Sequence, residues 1–130
     1  MDLQPKLLIV DDEERFCKSM AKTFKTKGVV VKSVGSGEDA LVEVSENDYD
    51  VILLDVKMSG ISGIETLKRL KAQGCHAEVI ILTGHASMDI ALNSIDYGAY
   101  DYLLKPCDVE EISLKISQAY ERKLENEKIR

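Results

Sequence analysis

The chain has 130 residues, near the common size of one domain, and 45% of them are hydrophobic, enough for a real core. It has no Trp and few aromatics, so that core must be mostly Val, Ile, Leu and Ala. A net charge of −6 argues against a nucleic-acid-binding face, which needs a basic surface, and no apolar run could span a membrane. Cys17, Cys75 and Cys107 are odd in number and lack metal-ligand spacing, so they read as reduced thiols. The N-terminus lacks the charged-then-apolar pattern of a signal peptide. A soluble, cytoplasmic protein is expected.

Short apolar runs alternate with helical patterns along the whole chain. The first strand is expected at Lys6 to Val10. A helix follows from Glu14 to Lys27, with Phe16, Met20 and Phe24 on one face and Gly28 as its stop. Strand two is Val29 to Val34. Ser36 opens a second helix, with Asp39 as a capping acid and Ala40, Leu41 and Val44 inward. Strand three is Val51 to Leu54, followed by a loop bracketed by Gly60 and Gly63. The third helix turns Ile64, Leu67 and Leu70 inward and ends at Gly74. Strand four is Val79 to Leu82. The fourth helix starts near Ser87 and ends before Gly98, with Ala91, Leu92 and Ile95 as its apolar face. Strand five, Tyr102 to Leu104, ends at Pro106, which cannot donate to a ladder. The fifth helix begins near Asp108 with Val109, Ile112, Ile116 and Ala119 inward. Residues 1–120 then form one domain. The almost wholly charged segment Glu121 to Arg130 reads as a solvated helix extension or a linker.

This alternation predicts βαβ units with right-handed crossovers. The expected fold is α/β: a doubly wound five-stranded parallel sheet in the flavodoxin-like order 2-1-3-4-5, with helices on both faces. Ligands bind such sheets at the C-terminal edge, at the switch point between strands one and three. Strand one ends on Asp11-Asp12 and strand three on Asp55. Strands four and five end on Thr83 and Lys105.

Three adjacent carboxylates repel one another, and a hard divalent cation relieves that repulsion. Mg²⁺ is the expected ion, with Mn²⁺ as a substitute. Asp12 and Asp55 are candidate direct ligands, Asp11 a candidate ligand through water, and the backbone carbonyl of Lys57 a further oxygen. An aspartate can attack phosphorus and form an acyl phosphate, which makes Asp55 a candidate nucleophile. Lys105 and the Thr83 hydroxyl are placed to contact the phosphoryl oxygens.

These residues, with Lys105 followed by Pro106, resemble the receiver domain of bacterial two-component response regulators. The resemblance runs from Leu7 to about Tyr120. It rests on Val-Asp-Asp-Glu from Val10, Leu-Leu-Asp-Val-Lys-Met-Ser-Gly from Leu53, Leu-Thr-Gly-His from Leu82, and Gly-Ala-Tyr-Asp-Tyr-Leu-Leu-Lys-Pro from Gly98. It implies that Asp55 accepts a phosphoryl group from a sensor histidine kinase or a histidine phosphotransfer protein. It implies that Asp11 and Asp12 organise Mg²⁺ and that Thr83 and Lys105 read the phosphate. Thr83 and Tyr102 would be the switch pair, with the readout on helix four, strand five and helix five. Lys57 and His85, each two residues past a site residue, would tune the acyl-phosphate lifetime. The chain departs from the family at Ser59, where proline is usual, and at Cys107, where a large apolar residue is frequent.

Ile90 and Leu114 fall off the inner helix faces and could seed a phosphorylation-dependent homodimer. His76 reads as a loop residue without a role. Gly35-Ser36-Gly37 is not a nucleotide-binding loop. The leading reading is a signalling module, not an enzyme, whose catalysis is confined to its own phosphorylation and dephosphorylation. A haloacid-dehalogenase-like phosphatase would need an acid where Lys57 stands. A flavodoxin-like electron carrier would need a phosphate-binding loop where Asp11 to Glu14 would repel phosphate. The Leu-Thr-Gly-His and Gly-Ala-Tyr-Asp-Tyr runs are similar to receivers of enhancer-binding transcription activators, so an output domain beyond this segment is expected.

Overall fold

The computed structural model describes residues 5–129, except the side chain of His85. Five strands and five helices alternate: β1 Lys6–Val10, α1 Glu14–Thr26, β2 Val30–Val34, α2 Gly37–Glu46, β3 Val51–Asp55, α3 Gly63–Ala72, β4 Glu78–Thr83, α4 Met88–Ser94, β5 Asp101–Leu104 and α5 Val109–Lys128. The strands are all parallel and lie in the order β2-β1-β3-β4-β5, as the sequence predicts.

The pleat sorts the strand side chains between two cores. Leu8, Val10, Ile52, Leu54, Val79 and Ile81 face α2, α3 and α4, where Ala40, Leu67, Leu70 and Ala91 cover them. Leu7, Ile9, Val51, Leu53, Ile80 and Leu82 face α1 and α5, under Phe24, Ile112 and Ile116. The three inner strands are therefore apolar at nearly every position, because both of their faces are buried. Three of the five helix starts are capped by side chains. Ser36 Oγ accepts from Asp39 N at 3.0 Å, Ser62 Oγ from Glu65 N at 3.1 Å, and Asp108 Oδ1 from Glu111 N at 2.9 Å.

Helix α4 departs from its expected pattern. Leu92 and Ile95 are 49% and 42% exposed instead of facing the sheet. The buried positions are Ser87, Ala91 and Ser94, an i, i+4, i+7 stripe of small residues. The apolar residues misled because the inward face here is not the apolar one. Ile95 also belongs to a 3-10 turn, Ile95–Tyr97, where the α-helical angular period no longer holds. Gly98, at φ 99°, ends the segment in the left-handed region that glycine adopts without steric cost. Ile90 and Leu114 are exposed, as their helical positions predict.

The charged segment after Tyr120 continues α5 without a break to Lys128. Its Lys123 side chain is only 11% exposed, with Nζ 3.0 Å from Asp50 Oδ1 and bonded also to Glu127. Asp50 in turn accepts from the backbone N of Lys6 at 2.7 Å and donates its own N–H to Lys6 O at 2.9 Å. One aspartate thus joins the starts of β1 and β3 to the last turns of α5. We expect Lys123→Ala to lower stability by about 1–3 kcal/mol, and Lys128→Ala to stay within about 0.5 kcal/mol. Urea unfolding of both variants checks this; equal midpoints would mean that the extension is not docked.

Candidate functional site

Parallel pairing of Val10 with Leu54 brings the ends of β1 and β3 side by side. Asp11 and Asp55 are buried and Asp12 is exposed, and each offers a carboxylate oxygen within 4.8 Å of the other two. Asp55 pairs with Leu82, so the buried Thr83 ends β4 one residue further along the same edge. Thr83 Oγ1 donates to Gly84 O at 3.0 Å. Thr83 O accepts the N–H of Lys105 at 2.7 Å, which fixes where Lys105 leaves β5, just before a cis Lys105–Pro106 peptide. From there Lys105 Nζ reaches Asp11 Oδ2 at 2.7 Å and Asp55 Oδ1 at 3.6 Å. Five side chains from four strand ends meet at this edge of the sheet.

The charges do not balance. Burial first, then the charge of Asp11, push the Asp55 carboxyl from its ordinary 3.8 up to about 6; Lys105 opposes the rise and Asp12 adds to it. Burial works to lower the Lys105 ammonium, but its hydrogen bond to Asp11 and the Asp11 and Asp55 charges outweigh that and raise it. Lys105 therefore stays cationic, yet one cation serves three carboxylates. A cluster of hard oxygen donors with surplus negative charge fits a divalent cation such as Mg²⁺.

Several supporting residues were not legible as site residues. Phe16, read only as part of a helical stripe, lays its ring 4.6 Å from Lys105 Nζ and shields one side of the ammonium. Cys17 is buried, and its Sγ donates to Asp11 O at 3.1 Å; burial, then Asp11, push the thiol up to about 11. Glu13 N donates to Asp11 Oδ1 at 2.9 Å. Ser59 donates to Asp12 Oδ2 from its backbone N at 2.9 Å and its Oγ at 3.3 Å. Gly63, read as a loop boundary, begins α3 directly behind β3. A Cβ there would lie 2.2 Å from Asp55 O and 2.8 Å from Val56 Cα, so only glycine fits. The Gly-x-x-Gly spacing after Asp55 was the available signal.

The remaining expected residues lie further out. Lys57 is exposed in the loop after β3. The side chain of His85 lies outside the described residues. Tyr102, paired with Ile81 on β5, is half-buried against the core beneath α4.

The profile of the response regulator receiver domain family matches residues 7–117. The chain is a response regulator receiver domain. It is 35% identical over 116 residues to the transcriptional regulatory protein ZraR of Klebsiella oxytoca, which covers 89% of this chain and 26% of that protein. It is 34% identical over 113 residues to the transcriptional regulatory protein YkoG of Bacillus subtilis, covering 87% of this chain and 50% of the relative. The receiver thus spans half or less of these relatives. Two solved receiver domains share the fold. That of the Francisella response regulator 1452 has a TM-score of 0.84 at 31% identity, covering 92% of this chain and 98% of its own. One from Clostridium thermocellum has a TM-score of 0.87 at 34% identity, covering 93% and 97%.

Two expectations follow from the geometry. Asp55 holds its proton more tightly when folded, so its contribution to stability is full below pH 3.8 and is lost as pH rises through about 6. In chelator at pH 7.5, Asp55→Asn should exceed wild type by about 1–2 kcal/mol, an estimate reduced because water reaches the pocket mouth. The gap should close on acidification toward pH 4, measured by urea unfolding; an Asn variant no more stable than wild type at pH 7.5 would contradict the charge imbalance. Gly63→Ala should cost about 3 kcal/mol or more, because the clash is with backbone. Unchanged stability there would show that α3 can ride away from β3.

Proposed function

We propose that Asp55 is the phosphoacceptor of this receiver. What carries the reading is a buried carboxylate at the switch point whose negative charge is crowded by Asp11 and Asp12 and reached by the Lys105 ammonium. An Asp55 oxygen attacks the phosphorus of a phosphohistidine on a sensor kinase or histidine phosphotransfer protein. The P–N bond breaks, the imidazole leaves, and an acyl phosphate remains on Asp55.

Asp11, Asp12 and Asp55, with the carbonyl of Lys57, would hold Mg²⁺ or Mn²⁺. The bound cation supplies neutralisation of charge on the transferring oxygens. Lys105 lies between Asp11 and Asp55, so a short swing of Nζ carries its charge from Asp11 to the incoming phosphoryl group. The Thr83 hydroxyl, bonded only to the neighbouring Gly84 carbonyl in the described structure, is free to turn and donate to a phosphoryl oxygen. That turn opens space into which Tyr102 moves, altering the surface of α4, β5 and α5. Exposed Ile90 and Leu114 lie on that surface and suit a phosphorylation-dependent homodimer. Lys57 and His85 would set the lifetime of the acyl phosphate by governing water access.

The relatives are named as transcriptional regulators, which supports control of transcription by an output domain joined beyond α5. Among the described residues no helix is long and apolar enough to cross a membrane, in keeping with a cytoplasmic regulator. The net charge of −6 leaves nucleic-acid contact to the output domain.

The deciding experiment is intact mass after incubation with Mg²⁺ and a small acyl-phosphate donor. Wild type should gain one phosphoryl group, Asp55→Asn none, and chelation should abolish the gain. A gain that persists in Asp55→Asn would move the acceptor elsewhere; no gain in wild type would make this a receiver that works without phosphorylation.

A further inference from the structure

Asp12 differs from its two neighbours in what holds it. Asp11 is fixed by Lys105 and Glu13 N, and Asp55 lies in reach of Lys105. Asp12 is exposed, on the loop after β1, where a free carboxylate would sample several rotamers. Among the described residues its side-chain hydrogen bonds come from Ser59 alone, both to Oδ2.

The loop that carries Ser59 is anchored independently. Gly63 N donates to Val56 O at 3.0 Å, closing the loop on itself. Ile61 N donates to Glu38 Oε2 at 3.2 Å, tying the loop to α2. The fixed partner is thus the loop, and the positioned one is Asp12. Two donors on one oxygen also leave Oδ1 without a protein donor, available to a cation.

We propose that Ser59 is a positioning residue for the divalent-cation site, holding Asp12 beside Asp11 and Asp55 before the ion arrives. This rests on the reading of those carboxylates as a cation site. The sequence change matters chemically because proline at this position, having neither an N–H nor a hydroxyl, could make neither bond. Ser59 would replace a restraint on the loop by a restraint on the ligand.

The test is Mg²⁺ titration by calorimetry on the full chain, with no phosphoryl donor. Ser59→Ala keeps the N–H and loses Oγ, so its Mg²⁺ Kd should rise about two- to threefold. Ser59→Pro loses both donors and should weaken binding roughly tenfold, the low end for partners that orient metal ligands. Ser59→Thr keeps both donors and should bind as wild type does. In an Asp12→Ala background the Ser59 substitutions should have no further effect, since the positioned group is gone. Unfolding midpoints in chelator separate misfolding from lost affinity, and the Ala and Thr pair decides the matter if the proline variant fails to fold. Wild-type or tighter affinity in Ser59→Ala would overturn the proposal and leave the cation site standing. No Mg²⁺ binding by wild type would overturn both.

Discussion

Three carboxylates crowd the C-terminal edge of this sheet around one lysine that reaches only two of them, and much of the molecule serves to keep them there. Asp11 follows β1 and Asp55 ends β3, neighbouring strands buried at every position but Lys6, so neither can retreat from the other without opening a core. Lys105 approaches from β5, its backbone fixed by Thr83 O and its ammonium flanked by Phe16. The glycine at the start of α3 lets that helix press on the Asp55 backbone from behind. The packing energy of the two cores is thus set against electrostatic repulsion at one point, and that imbalance makes the edge receptive to cations and to a change of charge.

Much of this was readable from residue order. The three inner strands are short apolar runs, the helices carry period-3.6 stripes, and four of five helix starts have Ser or Asp at the cap. The strand order and the convergence of Asp11, Asp12, Asp55, Thr83 and Lys105 follow from those patterns and the handedness of the crossovers. The supporting shell was not readable in the same way. Ser59 meets Asp12 across 47 residues, and Lys105 meets Asp11 across 94; only the second falls at a strand end, where topology places it. The first depends on the path of a loop, which no periodicity encodes. Phe16 and Lys123 were hidden for the opposite reason: a helical stripe and a run of charge gave each an ordinary explanation that left its partner unseen.

The two ends of the sheet are tied differently. At the C-terminal edge the contacts are charged, crowded and short of cations. At the opposite edge, Asp50 joins backbone and ammonium in a matched set spanning β1, β3 and α5. Helix α5 starts beside the first edge, at its Asp108 cap, and is clamped near its far end by Lys123. It therefore runs from the carboxylate edge to the opposite end of the sheet as one continuous, docked rod.

The small-residue stripe beneath α4 sets how the helices compare in grip. Helix α1 is nailed to the sheet by Phe24 and Met20, whose withdrawal would expose large apolar areas, each worth on the order of 2 kcal/mol. Helix α4 rests on Ser87, Ala91 and Ser94, while its bulkier Ile90 and Leu92 face outward. Sliding it along the sheet forfeits little burial and opens no large void. Against this rigid sheet, α4 lies in a shallower energy well than α1.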